Sequence, residues 1–134
     1  MPLIGRIAAG VPITTGEHIA EIIPVDAALF TPRADLLVRV MGRSMINAGI
    51  LDGDLAGVHR QADARNGQIV AAVITHPVTD NLELTLKTFH RKGPIITLRS
   101  ENDDQQTYAP MVFDTRRDSI EIVGLYAGLL RARP

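Results

Sequence analysis

The feature that most constrains this chain is the shortness of its apolar runs. They are cut at close intervals by Gly, Pro, Asn and Asp, and no stretch repeats hydrophobic residues at helical spacing for long enough to make a major helix. The spacing predicts a mainly β architecture with one or two short helical turns. Strands are expected at Leu3–Ala8, Ile19–Ile23, Leu36–Met41, Asp54–His59, Gln68–Ile74, Leu82–His90, Ile95–Leu98 and Ile120–Leu130. Asp52-Gly53, Asn66-Gly67 and Gly93-Pro94 set residues that permit or lock unusual φ between apolar runs, so hairpins or tight corners are expected there. Pro24 and Pro32 bracket room for a single helical turn, Ser44–Ala48 has room for another, and the polar run Glu101–Gln106 reads as a surface loop.

A length of 134 residues with 46% hydrophobic content fits one domain with a real core, residues 1–134. Fourteen basic against fifteen acidic residues leave a net charge of -1, so no overall positive field exists to hold a phosphate backbone. The absence of cysteine removes disulfides, thiol catalysis and cysteine metal sites, and a cytoplasmic setting is the simpler expectation. Neither Ile69–Ile74 nor Ile122–Leu130 approaches the ~18 to 20 residues of a membrane span, and the N-terminus lacks the order of a secretory signal.

Several familiar sites fail on their chemistry. The histidines at 18, 59, 76 and 90 are too scattered for a local metal pair, and no cofactor is expected. Gly5 to Gly10 has the outer spacing of a phosphate loop, but Val11-Pro12 stands where Lys and Ser or Thr are needed. Asp52-Gly53-Asp54 lacks the remaining oxygen donors of a calcium loop, and Met41-Gly42-Arg43-Ser44-Met45 is not a Gly-x-Ser-x-Gly elbow.

Two residues leave a choice open. Ser44 follows an apolar strand through Gly42 and precedes a possible helical turn. It is therefore either an ordinary helix cap or a hydroxyl at a corner where the Arg43 and Ser44 N–H groups could hold an oxyanion. Lys87 alternates with Leu82, Leu84 and Leu86, sharing the other strand face with Glu83, Thr85 and Phe89. A solvent-facing lysine is the default; a lysine base would require burial deep enough to pull its pKa several units down.

The ordered motifs bear on that choice. Pro2 to Pro12 resembles the cleavage-site region of the LexA family, the self-cleaving repressors of the bacterial SOS response. The segments Arg39 to Met45 and Gly49 to Asp54 resemble its nucleophile region, Asn66 to Ala72 its next hairpin, and Leu84 to Lys87 its lysine strand. Leu98 to Asn102 and Ile122 to Leu125 match later landmarks, so the likeness covers nearly the whole chain. The resemblance implies a β-rich fold of the LexA and signal-peptidase kind, self-cleavage of the Ala9-Gly10 bond within a cleavage region at 3–15, Ser44 as nucleophile and Lys87 as general base. It also implies a homodimer, for which Ile120–Leu130 offers an edge, stimulation by a RecA filament on single-stranded DNA, and operator binding only through an N-terminal winged helix that has no counterpart here. Ile46-Asn47-Ala48 lacks the charges common in the family, and His76 to Glu83 is longer than its usual hairpin. Two rivals stand beside this reading. A UmuD-like polymerase accessory subunit more often cuts after cysteine, and a non-catalytic β-rich dimerisation module would have no use for Ser44 and Lys87 together. A membrane signal peptidase shares the Ser/Lys chemistry but needs an anchor.

Overall fold

The computed structural model describes residues 1–7, 13, 15–75 and 79–132. Among them, nine strands form one mixed sheet in the order β2-β1-β3-β4-β9-β5-β6-β7-β8. The strands are β1 (Pro2–Ile4), β2 (Ile19–Ile22), β3 (Leu36–Arg39), β4 (Leu55–Arg60), β5 (Ile69–Thr75), β6 (Leu82–Lys92), β7 (Ile95–Arg99), β8 (Met111–Asp114) and β9 (Ile120–Leu130). Every described pair is antiparallel except β1 with β3, which run parallel through Leu3↔Leu37 and Ile4↔Val38. Among the described residues the helical content is three single 3₁₀ turns, at Gly16–His18, Ala27–Leu29 and Ile46–Ala48. Two of them fall inside the expected Pro24–Pro32 and Ser44–Ala48 windows.

The mainly β expectation holds, and the β9 boundaries are those expected. Most other ends move by one or two residues. The exceptions are β1, which stops at Ile4, and β8, which the sequence reading did not anticipate. β8 is a four-residue edge strand directly after Pro110, too short for its alternation to stand out. Gly93-Pro94 closes the β6–β7 hairpin, whereas Asn66-Gly67 makes a corner between β4 and β5, which are not neighbours.

β9 corrects one expectation outright. It is not an edge: it pairs with β4 from Leu55↔Leu130 to Arg60↔Gly124 and with β5 from Val70↔Leu125 to Ile74↔Ile120. Its backbone is thus paired on both sides, while of its apolar side chains Val123 and Ala127 are buried and most others only half-buried.

β5 shows why both faces of the sheet are covered. Ala71 and Val73 belong to a first core cluster with Val38, Met45, Ile50, Val58, Leu86 and Val123, while Val70, Ala72 and Ile74 belong to a second with Phe89, Ile96 and Leu98. Register shifts between Leu3 and Ile4, Gly57 and Val58, and Ala71 and Ala72 add bend and twist to the ladder. The sheet coils far enough for Val38 of β3 and Leu86 of β6 to share the first cluster, although β4, β9 and β5 lie between them in strand order. That coiling brings the β3–β4 connection beside β6. Among the described residues no helix is long and apolar enough to cross a membrane.

Candidate active site

Ser44 is placed by the loop that leaves β3. The ladder extends one step beyond the strand, with Val40 N–H donating to Asp54 O (2.8 Å) and Gly53 N–H donating to Val40 O (2.8 Å). The chain then turns sharply at Gly42, whose φ of +84° is one that side-chain-bearing residues rarely adopt, and whose N–H donates to Asp52 Oδ1 at 2.7 Å. Met45 and Ile50, 2% and 0% exposed, anchor the loop in the first core cluster. Each such burial contributes about 2 kcal/mol. Gly49, at φ +76°, ends the intervening 3₁₀ turn in the left-handed conformation. Ser44 is not the cap of that turn: Met45 occupies the cap position and makes no side-chain capping bond.

Lys87 comes from β6, opposite Val70 in the β5–β6 ladder, and so lies on the side of the second core cluster. Its face of β6 reads as polar in sequence, but Phe89 on that face is buried, and Lys87 itself is only 8% exposed. Its Nζ donates to Ser44 Oγ at 3.0 Å, to Thr85 Oγ1 at 3.1 Å and to Leu86 O at 3.2 Å. No carboxylate lies within ion-pair distance of it among the described residues. Burial pushes its pKa below the ordinary 10.5, opposed by the weaker attraction of Glu83. The solvent-facing default therefore fails here.

Ser44 and Lys87 line one cleft together with Gly42, Arg43, Thr85 and Ser100. Arg43 and Ser44 present backbone N–H groups that donate to no acceptor among the described residues. A hydroxyl facing an amine, beside open N–H donors, is an arrangement able to perform acyl transfer without a metal ligand set. Among the described residues no group of three or more His, Asp or Glu converges as a cation site. His18 is buried, and His59 binds Arg33 O through Nδ1 at 2.8 Å.

The expected cleavage bond, Ala9-Gly10, lies outside the described residues. Its flanks do not: Ile7 packs against the first core cluster, and Ile13, 2% exposed, is part of it. Thr85 was missed as a partner of Lys87, although its position two residues away on the same strand face was the available signal. The polar loop after β7, Glu101–Gln106, is a surface loop by its sequence. It reaches the site all the same, with Asn102 Nδ2 donating to Arg43 O at 2.8 Å.

A second charged site lies on the other side of the Ser44 loop. Asp54 is 1% exposed and receives Arg131 Nε at Oδ1 and Nη2 at Oδ2, both at 2.7 Å, with Leu51 N–H donating to Oδ2 at 2.7 Å. Arg131 Nη2 also donates to Gly49 O at 2.9 Å. The Arg131 hydrogen bonds hold the Asp54 carboxyl below its ordinary range.

Known proteins resemble this chain along nearly its whole length. The chain is 50% identical over 131 residues to a LexA repressor of Azoarcus sp. (strain BH72), covering 98% of this chain and 60% of that protein. It is 48% identical over 131 residues to a LexA repressor of Tolumonas auensis (strain DSM 9187 / NBRC 110442 / TA 4), covering 98% and 60%. A LexA repressor of Shewanella sediminis (strain HAW-EB3) is 46% identical over 131 residues, covering 98% and 59%. The chain thus spans about three fifths of the length of the relatives it matches. The family model described as Peptidase S24-like matches residues 2–127, from β1 through both Ser44 and Lys87 and into β9, and the chain belongs to that family.

Proposed function

We propose that this chain is the self-cleaving serine peptidase portion of an SOS-response transcriptional repressor, with Ser44 and Lys87 cutting the bond between Ala9 and Gly10. The observation that carries this reading is the 3.0 Å approach of Lys87 Nζ to Ser44 Oγ, made by a buried lysine with no carboxylate partner among the described residues.

When Nζ is neutral, the line between these atoms carries the serine proton to the amine. Ser44 Oγ then attacks the carbonyl carbon of Ala9, and the Arg43 and Ser44 N–H groups receive the oxyanion. Collapse breaks the C–N bond, Lys87 returns the proton to the Gly10 amine, and an ester joins Ala9 to Ser44. Water, deprotonated by Lys87, hydrolyses that ester and restores both side chains. The small side chain of Ala9 and the bare Gly10 suit a confined attack.

The names of the relatives support a repressor rather than a polymerase accessory subunit. On this reading a DNA-binding region lies N-terminal to the peptidase portion in the whole protein, the peptidase portion pairs into a homodimer, and a RecA filament on single-stranded DNA favours the cleavable form. Such a filament acts by shifting a population between two existing states.

Intact-mass spectrometry across a pH series tests the chemistry. Below the lowered pKa of Lys87 the amine is protonated and cannot accept the serine proton, so loss of residues 1–9 accelerates as pH rises through that value. Full-length mass that persists at pH ~10 overturns the reading. So does cleavage that survives Ser44→Ala.

A further inference from the structure

An oxyanion donor is effective only when its direction is fixed before charge develops, because a peptide that must rotate loses stabilisation during the reaction. The Ser44 N–H belongs to the Arg43–Ser44 peptide, which sits in an exposed turn just after Gly42 and lacks the support of a regular element. Within that turn, Arg43 O receives only a long contact from Ile46 N–H at 3.4 Å.

A residue far away in sequence supplies the missing support. Asn102, in the loop following β7, donates from Nδ2 to Arg43 O at 2.8 Å. Its amide orientation is set by the other end, where Oδ1 accepts the Asp104 N–H at 2.9 Å and leaves Nδ2 facing the carbonyl. The loop is anchored on both sides. Thr88 Oγ1, beside Lys87 on β6, donates to Glu101 Oε1 at 2.6 Å, and Asn47 N–H donates to Glu101 O at 2.8 Å.

We propose that Asn102 is a positioning residue for the oxyanion site, holding the Arg43 carbonyl so that the Ser44 N–H on the opposite side of the same planar peptide stays aimed into the cleft. The physical link is the rigidity of the trans peptide, in which C=O and N–H point in opposite directions and cannot turn separately. Asn102 touches no reacting atom; it acts through the backbone of Arg43 and Ser44. This inference rests on the self-cleavage reading given above.

The test is the pH profile of self-cleavage for the full chain and for Asn102→Ser, Asn102→Ala, Asn47→Ala and Ser44→Ala, each checked for cooperative thermal unfolding. Serine at 102 is neutral and still accepts the Asp104 N–H, but it is too short to reach Arg43 O. The limiting rate at high pH falls about 30-fold in Asn102→Ser and Asn102→Ala, short of the loss from deleting an oxyanion donor. The alkaline midpoint stays where it is in the unaltered chain, because the surroundings of Lys87 are untouched. Asn47→Ala removes a different brace between the same two loops, from Asn47 Nδ2 to Asp103 Oδ1 at 2.9 Å. Its rate stays within about threefold of the unaltered chain.

A limiting rate unchanged in both Asn102 variants overturns the proposal. A rate loss explained by a moved midpoint also overturns it, as does an equal loss in Asn47→Ala. Asn102→Ser and Asn102→Ala are judged separately, so the one that folds decides. If the unaltered chain does not cleave, or Ser44→Ala does, the self-cleavage reading has failed instead.

Discussion

Lys87 and Arg131 both carry a cationic head toward the Ser44 loop, one from the middle of β6 and the other from just past the end of β9. Arg131 meets the Asp54 carboxylate with two hydrogen bonds of 2.7 Å and keeps a half-exposed side chain, so its charge is compensated and hydrated. Lys87 is more deeply buried and meets a hydroxyl from Ser44, a hydroxyl from Thr85 and a carbonyl. Those groups hydrogen-bond an ammonium without neutralising it, and burial disfavours the charged form. The lesson is that one loop is held by a charge the fold pairs and faces a charge the fold disfavours. The first arrangement stabilises; on the proposed reading the second supplies the base.

The largest effect separating the two belongs to Lys87→Met. Losing the base lowers the cleavage rate by about a thousandfold or more. The fold remains at least as stable at neutral pH, because an apolar chain of similar length replaces a poorly solvated amine. Mass spectrometry paired with thermal unfolding checks both halves, and a Lys87→Met chain that unfolds would assign Lys87 a structural role instead.

Asp54→Ala is expected to do the reverse, destabilising the chain by roughly 2 kcal/mol through the orphaned Leu51 N–H and lost loop bonds. It leaves the alkaline midpoint of cleavage in place, and denaturant unfolding read beside the pH profile would show the split. Both groups make stability rise with pH, in two separate windows, one acidic and one alkaline. With its folded pKa lowered below 3.8, Asp54 contributes stability at neutral pH that is lost as pH falls through that lowered value. Lys87, lowered below 10.5, leaves the folded state with fewer protons than the unfolded one between the two values, so its contribution climbs with pH across that window.

Thr85→Val removes one of the three acceptors around Nζ and slows cleavage about fivefold, the equivalent of one hydrogen bond of ordinary strength. The smallest effect is expected from Glu83→Gln. Glu83 is exposed and its attraction raises the Lys87 pKa slightly against the burial effect, so neutralising it moves the cleavage midpoint toward lower pH. A midpoint that moves to higher pH instead would break the account of how Lys87 is tuned.

Much of the fold is legible along the chain because alternation and turn residues are local properties. The run from Ile120 to Leu130 announces a strand, and Gly93-Pro94 announces a hairpin. Neither says which strands become neighbours. The same apolar run fits an edge strand and a strand paired on both sides by β4 and β5, since alternation along one strand does not say which strands flank it. β8 escaped because four residues after a proline give too little pattern to count.

The site divides in the same way. Gly42 before Ser44 and the strand bearing Lys87 are visible in sequence, and the ordered resemblance pairs them. Taken locally, Ser44 remained a candidate cap and Lys87 a candidate surface lysine.

By itself, then, the sequence determined the β character, the turns and the chemical groups available, because backbone preference and side-chain type are carried residue by residue. Only the tertiary structure decided that the sheet coils until Ser44 and Lys87 stand 3.0 Å apart, that Lys87 is buried, and that Asn102 reaches Arg43. Burial and contact depend on what the rest of the chain places nearby, and strand order is what places it.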